Sequence, residues 1–327
     1  MKICIVKLSA MGDIIHAMVA LQYIKKAIPD VTIDWLVEKS FVQVLQNNPH
    51  INNILPVHLK GIKSKETSIV EQYKLIKKYA FNNYDVVLDA QGLMKSALAT
   101  WIMGERIVGS FTAGFSKDSI REKPASWFYR KKVSISYDRN TIDRNAKVLS
   151  EPLGFKISNE DILNKEPFLF TNETFDEKNY IVFVVGSTWE SRNYPKEKFL
   201  EVAQCLQEKV IVVWGNKDEE NKAKWLEENS EFISIAPKGN LEKLKAIIKN
   251  SKLLIGNDTG PTHMAWGFNV PSITIFGPTP INRIYITDIN KAIKSDSPVN
   301  HYKLDKNDFS ICEIKASDVV EIAKGLI

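Results

Sequence analysis

Cysteine is scarce in this 327-residue chain: Cys4, Cys205 and Cys312 are far apart and odd in number. That excludes a disulfide framework and a paired-thiolate zinc site. No apolar run reaches the roughly 18 residues of a membrane span, and the N-terminus lacks a secretory signal's long apolar core and cleavage site. The sequence also contains no H-E-x-x-H, no D-x-D and no G-x-S-x-G, so neither a metal site nor a serine nucleophile is expected. Nor does any nucleic-acid reader motif accompany its basic residues. These absences predict a cytoplasmic protein, or one that touches a membrane only from the cytoplasmic side.

What is present is an ordinary globular composition, 44% hydrophobic and 25% charged, long enough for two cores. The net charge of +5 is unevenly spread. Residues 1–165 carry 24 Lys and Arg against 16 Asp and Glu, and residues 166–327 carry 20 against 23. The halves are therefore +8 and −3, which suggests different partners for each. Anionic lipid, nucleic acid or an anionic small molecule would suit the basic half.

Hydrophobic patterning gives both halves one rhythm. In the first, strands are expected at Lys2–Leu8, Val31–Val37, Asp85–Asp89 and Arg106–Gly109, with helices at Ile14–Ile28, Ser68–Phe81 and Leu93–Met103. The pattern breaks near Glu151–Gly154, and a polar linker runs to Asn179. It resumes with strands at Tyr180–Val185, Val210–Trp214, Phe232–Ile235, Leu253–Gly256 and Ser272–Phe276. Helices are expected between them at Lys196–Gln207, Asp218–Glu228, Leu241–Lys249 and Pro261–Gly267. Alternating strands and helices predict an α/β chain of two doubly wound, mostly parallel domains. Ligands bind such domains at the carboxyl ends of their strands, and a cleft between the two is the expected site.

The residues at those strand ends carry the chemistry. Lys7–Asp13, KLSAMGD, turns from the first strand into the first helix, yet has one glycine instead of G-x-G-x-x-G and no Walker lysine. Its Asp13 would repel phosphate; it is either a helix cap, a general base at the cleft mouth, or both. Ile255–His263, IGNDTGPTH, places Asp258, Thr259, Gly260 and His263 at a strand–helix turn whose free amides suit an anion. Ser187, Thr188 and Arg192 follow another strand and offer hydroxyls and a guanidinium to diphosphate oxygens. Asp218, Glu219 and Glu220 open a helix and suit either its dipole or ribose hydroxyls. Asp89–Ser96, DAQGLMKS, ends a strand in the basic half, with Lys60, Lys63, Lys65, Arg121 and Arg130–Lys132 supplying positive charge.

In the same order along the chain, KLSAMGDIIH (7–16), DWLVE (34–38), DAQGLMKS (89–96), REKPASWFY (121–129), NDTGPTH (257–263) and ITIFGPT (273–279) resemble the ADP-heptose–lipopolysaccharide heptosyltransferases. The Thr188 loop and the Trp214–Gly215 turn fit the same pattern. The resemblance implies a GT-B fold: an acceptor-binding domain over 1–165, a donor-binding domain over 166–327, an interdomain cleft, and a final helix near 317–326 that packs back on the first domain. It implies inverting, metal-independent transfer of L-glycero-D-manno-heptose from ADP-heptose to Kdo of Kdo2–lipid A, without cofactor, at the cytoplasmic face of the inner membrane. DAQGLMKS points to the branch whose acceptor is Kdo. No nucleic acid and no obligate protein partner are implied.

Residue by residue, the resemblance implies Asp13 as catalytic base. Ser187, Thr188, Arg192, Glu219, Gly239, Asp258, Thr259, Gly260 and His263 are implied as donor contacts, with Glu219 on the ribose and the Gly239 backbone at adenine. Ser9, Lys60, Lys63 and Arg121 are implied on the acceptor side, facing carboxylates or phosphates. The chain has Ala10 where the family often has serine, and Ser187 and Arg192 where it often has threonine and lysine. Two other readings compete: a family member with a heptose acceptor, and a sugar-nucleotide-binding protein without catalysis.

Overall fold

The computed structural model describes residues 1–104, 107–301 and 303–327. They form two compact units, Met1–Phe168 and Leu169–Ile327, three residues beyond the expected boundary. Unit 1 contains strands β1 (Lys2–Val6), β2 (Thr32–Glu38), β3 (Asn53–Val57), β4 (Val86–Asp89), β5 (Phe111–Phe115) and β6 (Lys131–Val133). Unit 2 contains β7 (Ile181–Val184), β8 (Val210–Val213), β9 (Ile233–Ile235), β10 (Leu253–Asn257), β11 (Ser272–Phe276) and β12 (Asn290–Lys294).

Each unit's sheet is parallel and doubly wound, in the orders β3-β2-β1-β4-β5-β6 and β12-β11-β10-β7-β8-β9. The winding direction therefore reverses between β1 and β4 in unit 1, and between β7 and β10 in unit 2. Beyond the carboxyl ends of such a pair the two following loops diverge and leave room for a ligand. The central strands are almost wholly apolar because helices cover both sheet faces. Leu8, Leu36, Val87 and Met103 belong to one apolar core in unit 1, and Phe183, Phe199, Val212 and Ile255 to one in unit 2.

Most elements lie where patterning puts them, including the helix Leu241–Lys249 and the strand Ser272–Phe276. The strand expected at 106–109 does not form there. Arg106 lies outside the described residues, and Ile107–Gly109 make a turn with Gly109 at φ +86°. The pairing strand is instead Phe111–Phe115, FTAGF, whose Gly114 lies under the Tyr129 ring, leaving no space for a β-carbon. Three strands, β3, β6 and β12, carried no sequence expectation, and all stand at sheet edges. These edge strands are partly exposed, so they lack the continuous apolar run of a central strand; Pro56 in β3 is tolerated at the sheet edge for the same reason. The expected linker opens with a short turn at Glu151–Leu153 and then a helix at Asn159–Leu163. The final helix is Ala316–Lys324, and its Val319, Val320 and Ala323 are buried in the core of unit 2.

Candidate active site

In unit 1 the β1 loop leads into the helix Met11–Met18, with Asp13 in its first turn. The half-buried Asp13 carboxylate accepts a hydrogen bond from the Ala10 amide at 3.2 Å, so the capping role is real. Its second oxygen is not used by that bond. The loop is tied to β4 by one atom: Gln91 Oε1 accepts from the amides of Leu8 at 3.0 Å and Ser9 at 3.1 Å. Gln91 is itself positioned by Asp89, whose Oδ1 accepts from the amides of Gln91 and Gly92 at 2.7 and 3.0 Å. Gly92 sits at φ +70°, a turn conformation that favours glycine. The other Asp89 oxygen accepts from the Tyr129 hydroxyl at 2.7 Å.

Beneath this turn lies Lys7, its ammonium buried and donating to Ala90 O at 2.7 Å and Asn145 Oδ1 at 3.2 Å. Burial lowers the Lys7 pKa, against the pull of the Asp13 and Asp89 carboxylates. Burial likewise raises the Asp89 pKa, outweighing the hydrogen bonds from Tyr129 and the turn amides. The basic residues expected on the acceptor side come from loops at the same sheet edge. Lys60 and Lys63 lie exposed on the turn after β3, where the Lys60 amide donates to Glu38 Oε1 at 3.1 Å. Arg121 follows β5 and is exposed; the next residue, Glu122, accepts from the Met94 amide at 2.6 Å. Ser9 is half-buried beside Asp13.

Unit 2 has a different centre. Asp258, 2% exposed, is met from three directions. Arg192, from the loop after β7, reaches its Oδ2 at 2.9 Å and also bonds its backbone carbonyl. His263, one helical turn further on, lies 3.1 Å from Oδ1. From the loop after β11, the Thr279 hydroxyl donates to Oδ2 at 2.9 Å, and Arg283 stands 3.9 Å away. Burial pushes the Asp258 pKa up, but the His263 hydrogen bond with Arg283 and Arg192 prevails and holds it well below the usual carboxylate range. The carboxylate is thus an internal counter-ion. Two guanidiniums against one carboxylate leave the cluster net positive.

The remaining residues expected to contact a donor lie in loops at the same carboxyl edge. Arg192 Nη1 also lies 3.5 Å from Thr188 Oγ1. Ser187 Oγ is buried with no hydrogen-bond partner among the described residues, which leaves it able to bond a ligand oxygen or an ordered water. Thr259 is the N-cap of the helix Gly260–Phe268, whose first-turn amides at Gly260 and beyond have no helical acceptor. Glu219 leans against Gly186, where a β-carbon would fall 2.1 Å from its carboxylate. Its oxygens accept from the Gly215 amide at 2.7 Å and Asn216 Nδ2 at 2.8 Å, so they already help cap the helix Lys217–Glu228. Gly239 is exposed in the loop after β9, one residue before the Asn240 cap of the next helix.

The structure therefore gathers Ser9 and Asp13 at one switch point, and Ser187, Thr188, Arg192, Asp258, Thr259, Gly260 and His263 at the other. Thr279, Arg283, and the Gln91 and Lys7 contacts were not singled out as site residues in the sequence. An arginine three residues after the G-P-T-P turn could have signalled the second cluster; nothing local to Gln91 reveals that it bonds a loop 82 residues away.

Comparison with known proteins agrees with this chemistry. The profile of Glycosyltransferase family 9 (heptosyltransferase) matches residues 72–306. The chain belongs to that family. It is a glycosyltransferase of the GT-B class. Lipopolysaccharide heptosyltransferase 1 of Campylobacter coli is 37% identical, over 100% of this chain and 99% of its own length. The enzyme of the same description from Escherichia coli K12 is 30% identical over 85% of this chain and 88% of its own. Among solved structures, E. coli heptosyltransferase WaaC with ADP superposes with a TM-score of 0.83 at 25% identity, covering 100% of both chains. WaaC with ADP-2-deoxy-2-fluoro heptose gives 0.81 over 99% of each.

Proposed function

We propose that this family 9 chain transfers L-glycero-D-manno-heptose from ADP-heptose to a Kdo sugar of Kdo2–lipid A, inverting the anomeric centre, at the cytoplasmic face of the inner membrane. The observation that carries the assignment is the contrast between the two switch points. One holds a net-positive, amide-rich site suited to a nucleoside diphosphate, and the other a half-buried carboxylate, in a unit whose loops after β3 and β5 expose Lys60, Lys63 and Arg121, suited to a hydroxylated, anionic acceptor. Relatives described as lipopolysaccharide heptosyltransferase 1, and one solved with an ADP-heptose analogue, supply the sugar and the polymer.

In this reading unit 2 binds the donor and unit 1 the acceptor. Asp13 takes the proton from the attacking Kdo hydroxyl as its oxygen bonds to C1 of the heptose. The C1–oxygen bond to the diphosphate breaks on the opposite face, and ADP leaves with the electron pair. Charge building on the diphosphate is met by Arg192, Arg283, the amides after Thr259 and the Ser187 and Thr188 hydroxyls, while positive charge builds at C1 as in glycoside hydrolysis. Glu219 accepts from ribose hydroxyls, the Gly239 backbone meets adenine, and Lys60, Lys63 and Arg121 hold Kdo carboxylates or lipid phosphates.

The test is transfer from ADP-heptose to two purified acceptors, one ending in Kdo and one in heptose, with the product's anomeric configuration read by NMR. Inverted heptosyl-Kdo is expected. Transfer to the heptose-ended acceptor alone would reassign the acceptor, and nucleotide binding with no transfer to either would make the protein a binding module.

A further inference from the structure

The helix Met94–Met103 buries the wrong side for a surface helix. Its inward positions are Ser96, Ala97, Ala99, Thr100 and Met103, whereas Met94, Leu98 and Trp101, spaced four and three apart on one face, are exposed. Leu98 is 45% exposed and Trp101 55%. The short turn Lys123–Phe128 extends the same surface: the Phe128 ring meets the Trp101 ring edge-on at 6.3 Å, and its neighbour Trp127 is 77% exposed. Large apolar side chains left exposed together on neighbouring elements mark an interaction site. Two tryptophans with one side in water are the residue type favoured where apolar and aqueous phases meet.

The charge around this surface selects its occupant. Over residues 94–103 and 121–130 the charged side chains are Lys95, Arg121, Lys123 and Arg130 against the single carboxylate of Glu122. Arg130 marks one margin, its guanidinium 3.4 Å from Ser110 O, and Lys95 and Glu122 mark the helix's first turn. An apolar centre with a basic rim complements a bilayer of anionic lipid, which takes tryptophan and leucine among its glycerol and upper acyl groups and attracts lysine and arginine at its surface. The helix also begins at the carboxyl edge of the sheet, next to Arg121, and runs away from it, so Trp101 lies about 10 Å along the axis from Met94. An acceptor standing up from a bilayer would present its sugars at that edge.

We infer that the face formed by Leu98, Trp101 and Trp127, rimmed by Lys95, Lys123 and Arg130, is the surface by which this protein seats itself on an anionic membrane. The inference rests on the reading of the substrate as lipid-linked and adds to it a docking face separate from the site. It is tested by co-sedimentation of the full chain with phosphatidylglycerol-containing and phosphatidylcholine-only vesicles. Binding to the anionic vesicles is expected, weakening as salt is raised. The Trp101→Ser/Trp127→Ser variant is expected to bind at least about ten-fold more weakly, since each ring loses its apolar transfer. Leu98→Glu, which keeps both rings and adds a repelled charge, is expected to weaken binding as well. Both variants should transfer heptose to a water-soluble, deacylated acceptor at the wild-type rate. Undiminished vesicle binding by the variants, or no vesicle binding by the wild type, would overturn the inference. So would a wild-type dimer that the variants convert to monomer. Failure of the wild type on the deacylated acceptor would instead overturn the reading of the reaction, whatever the vesicles show.

Discussion

Asp89 and Asp258 occupy corresponding places in the two units, each at the carboxyl end of the fourth strand and each out of contact with water. Burial raises the pKa of both, yet the outcomes are opposite. Asp89 has two hydroxyls and two amides as partners, with the buried Lys7 ammonium nearby, and burial still wins. Asp258 has two guanidiniums and an imidazole, and they win. One strand order thus supports two electrostatic settings, chosen by the loops that follow β4, β7 and β11. The first setting shapes the turn behind the Asp13 loop; the second keeps guanidiniums together around one carboxylate. A buried carboxylate by itself says little about the function of its site, and its partners say most of it.

The largest effect should come from the residue that unit 2 has no counterpart for. Asp13→Asn keeps an oxygen to accept the Ala10 amide but removes the base, so turnover should fall about 10²–10⁴-fold with ADP affinity unchanged by calorimetry. A variant with near-normal turnover would reduce Asp13 to a cap and erase the functional contrast. Next comes Asp258→Ala, which leaves Arg192 and His263 beside an empty space where their counter-ion was. A loss of about 3–5 kcal/mol is expected in chemical denaturation, together with weaker ADP binding.

The acid limb of stability separates the two carboxylates by sign. Asp258 has its folded pKa below the unfolded value, so its contribution is present above the unfolded pKa and is lost as pH falls toward the folded one. Asp89 has its folded pKa raised, so its contribution is fully present below the unfolded pKa and is lost as pH rises through the folded one. Melting temperatures taken downward from about pH 6 should therefore decline less steeply in Asp258→Asn, and more steeply in Asp89→Asn, than in the wild type. Slopes shifted in the same direction would show that the two environments are alike after all.

The smallest change in stability is expected for Ser187→Ala. Its hydroxyl has no protein partner among the described residues, so thermal stability should hold within about 0.5 kcal/mol while the KM for ADP-heptose rises. An unchanged KM would remove Ser187 from the donor contacts.

Much of this was legible in the sequence because central strands are long apolar runs and the residues after them are polar and particular. Lys7–Asp13, Ser187–Arg192 and Asp258–His263 all stand out on that ground. Edge strands β3, β6 and β12 were not legible, since partial exposure dilutes the apolar signal on which such reading depends. β5 was misplaced because its glycine, required by the Tyr129 ring, weakens the strand pattern, while the neighbouring Ile107–Val108 mimics one. At the site, the types of residue were readable but their partners were not. Asp258 was expected to touch the donor, and no spacing rule shows that Arg192, 66 positions earlier, spends its charge on it.

That counter-ion also bears on timing. Arg192 and Thr279 reach Asp258 from two separate loops and His263 from the helix that follows it, so these three side chains are held before any nucleotide arrives. The conformational entropy of fixing Arg192 has been spent in folding, so a nucleotide bound there, as proposed, would find that part of its cradle already set. If unit 2 takes the donor as proposed, its capture should resemble lock-and-key association, fast and with little backbone rearrangement.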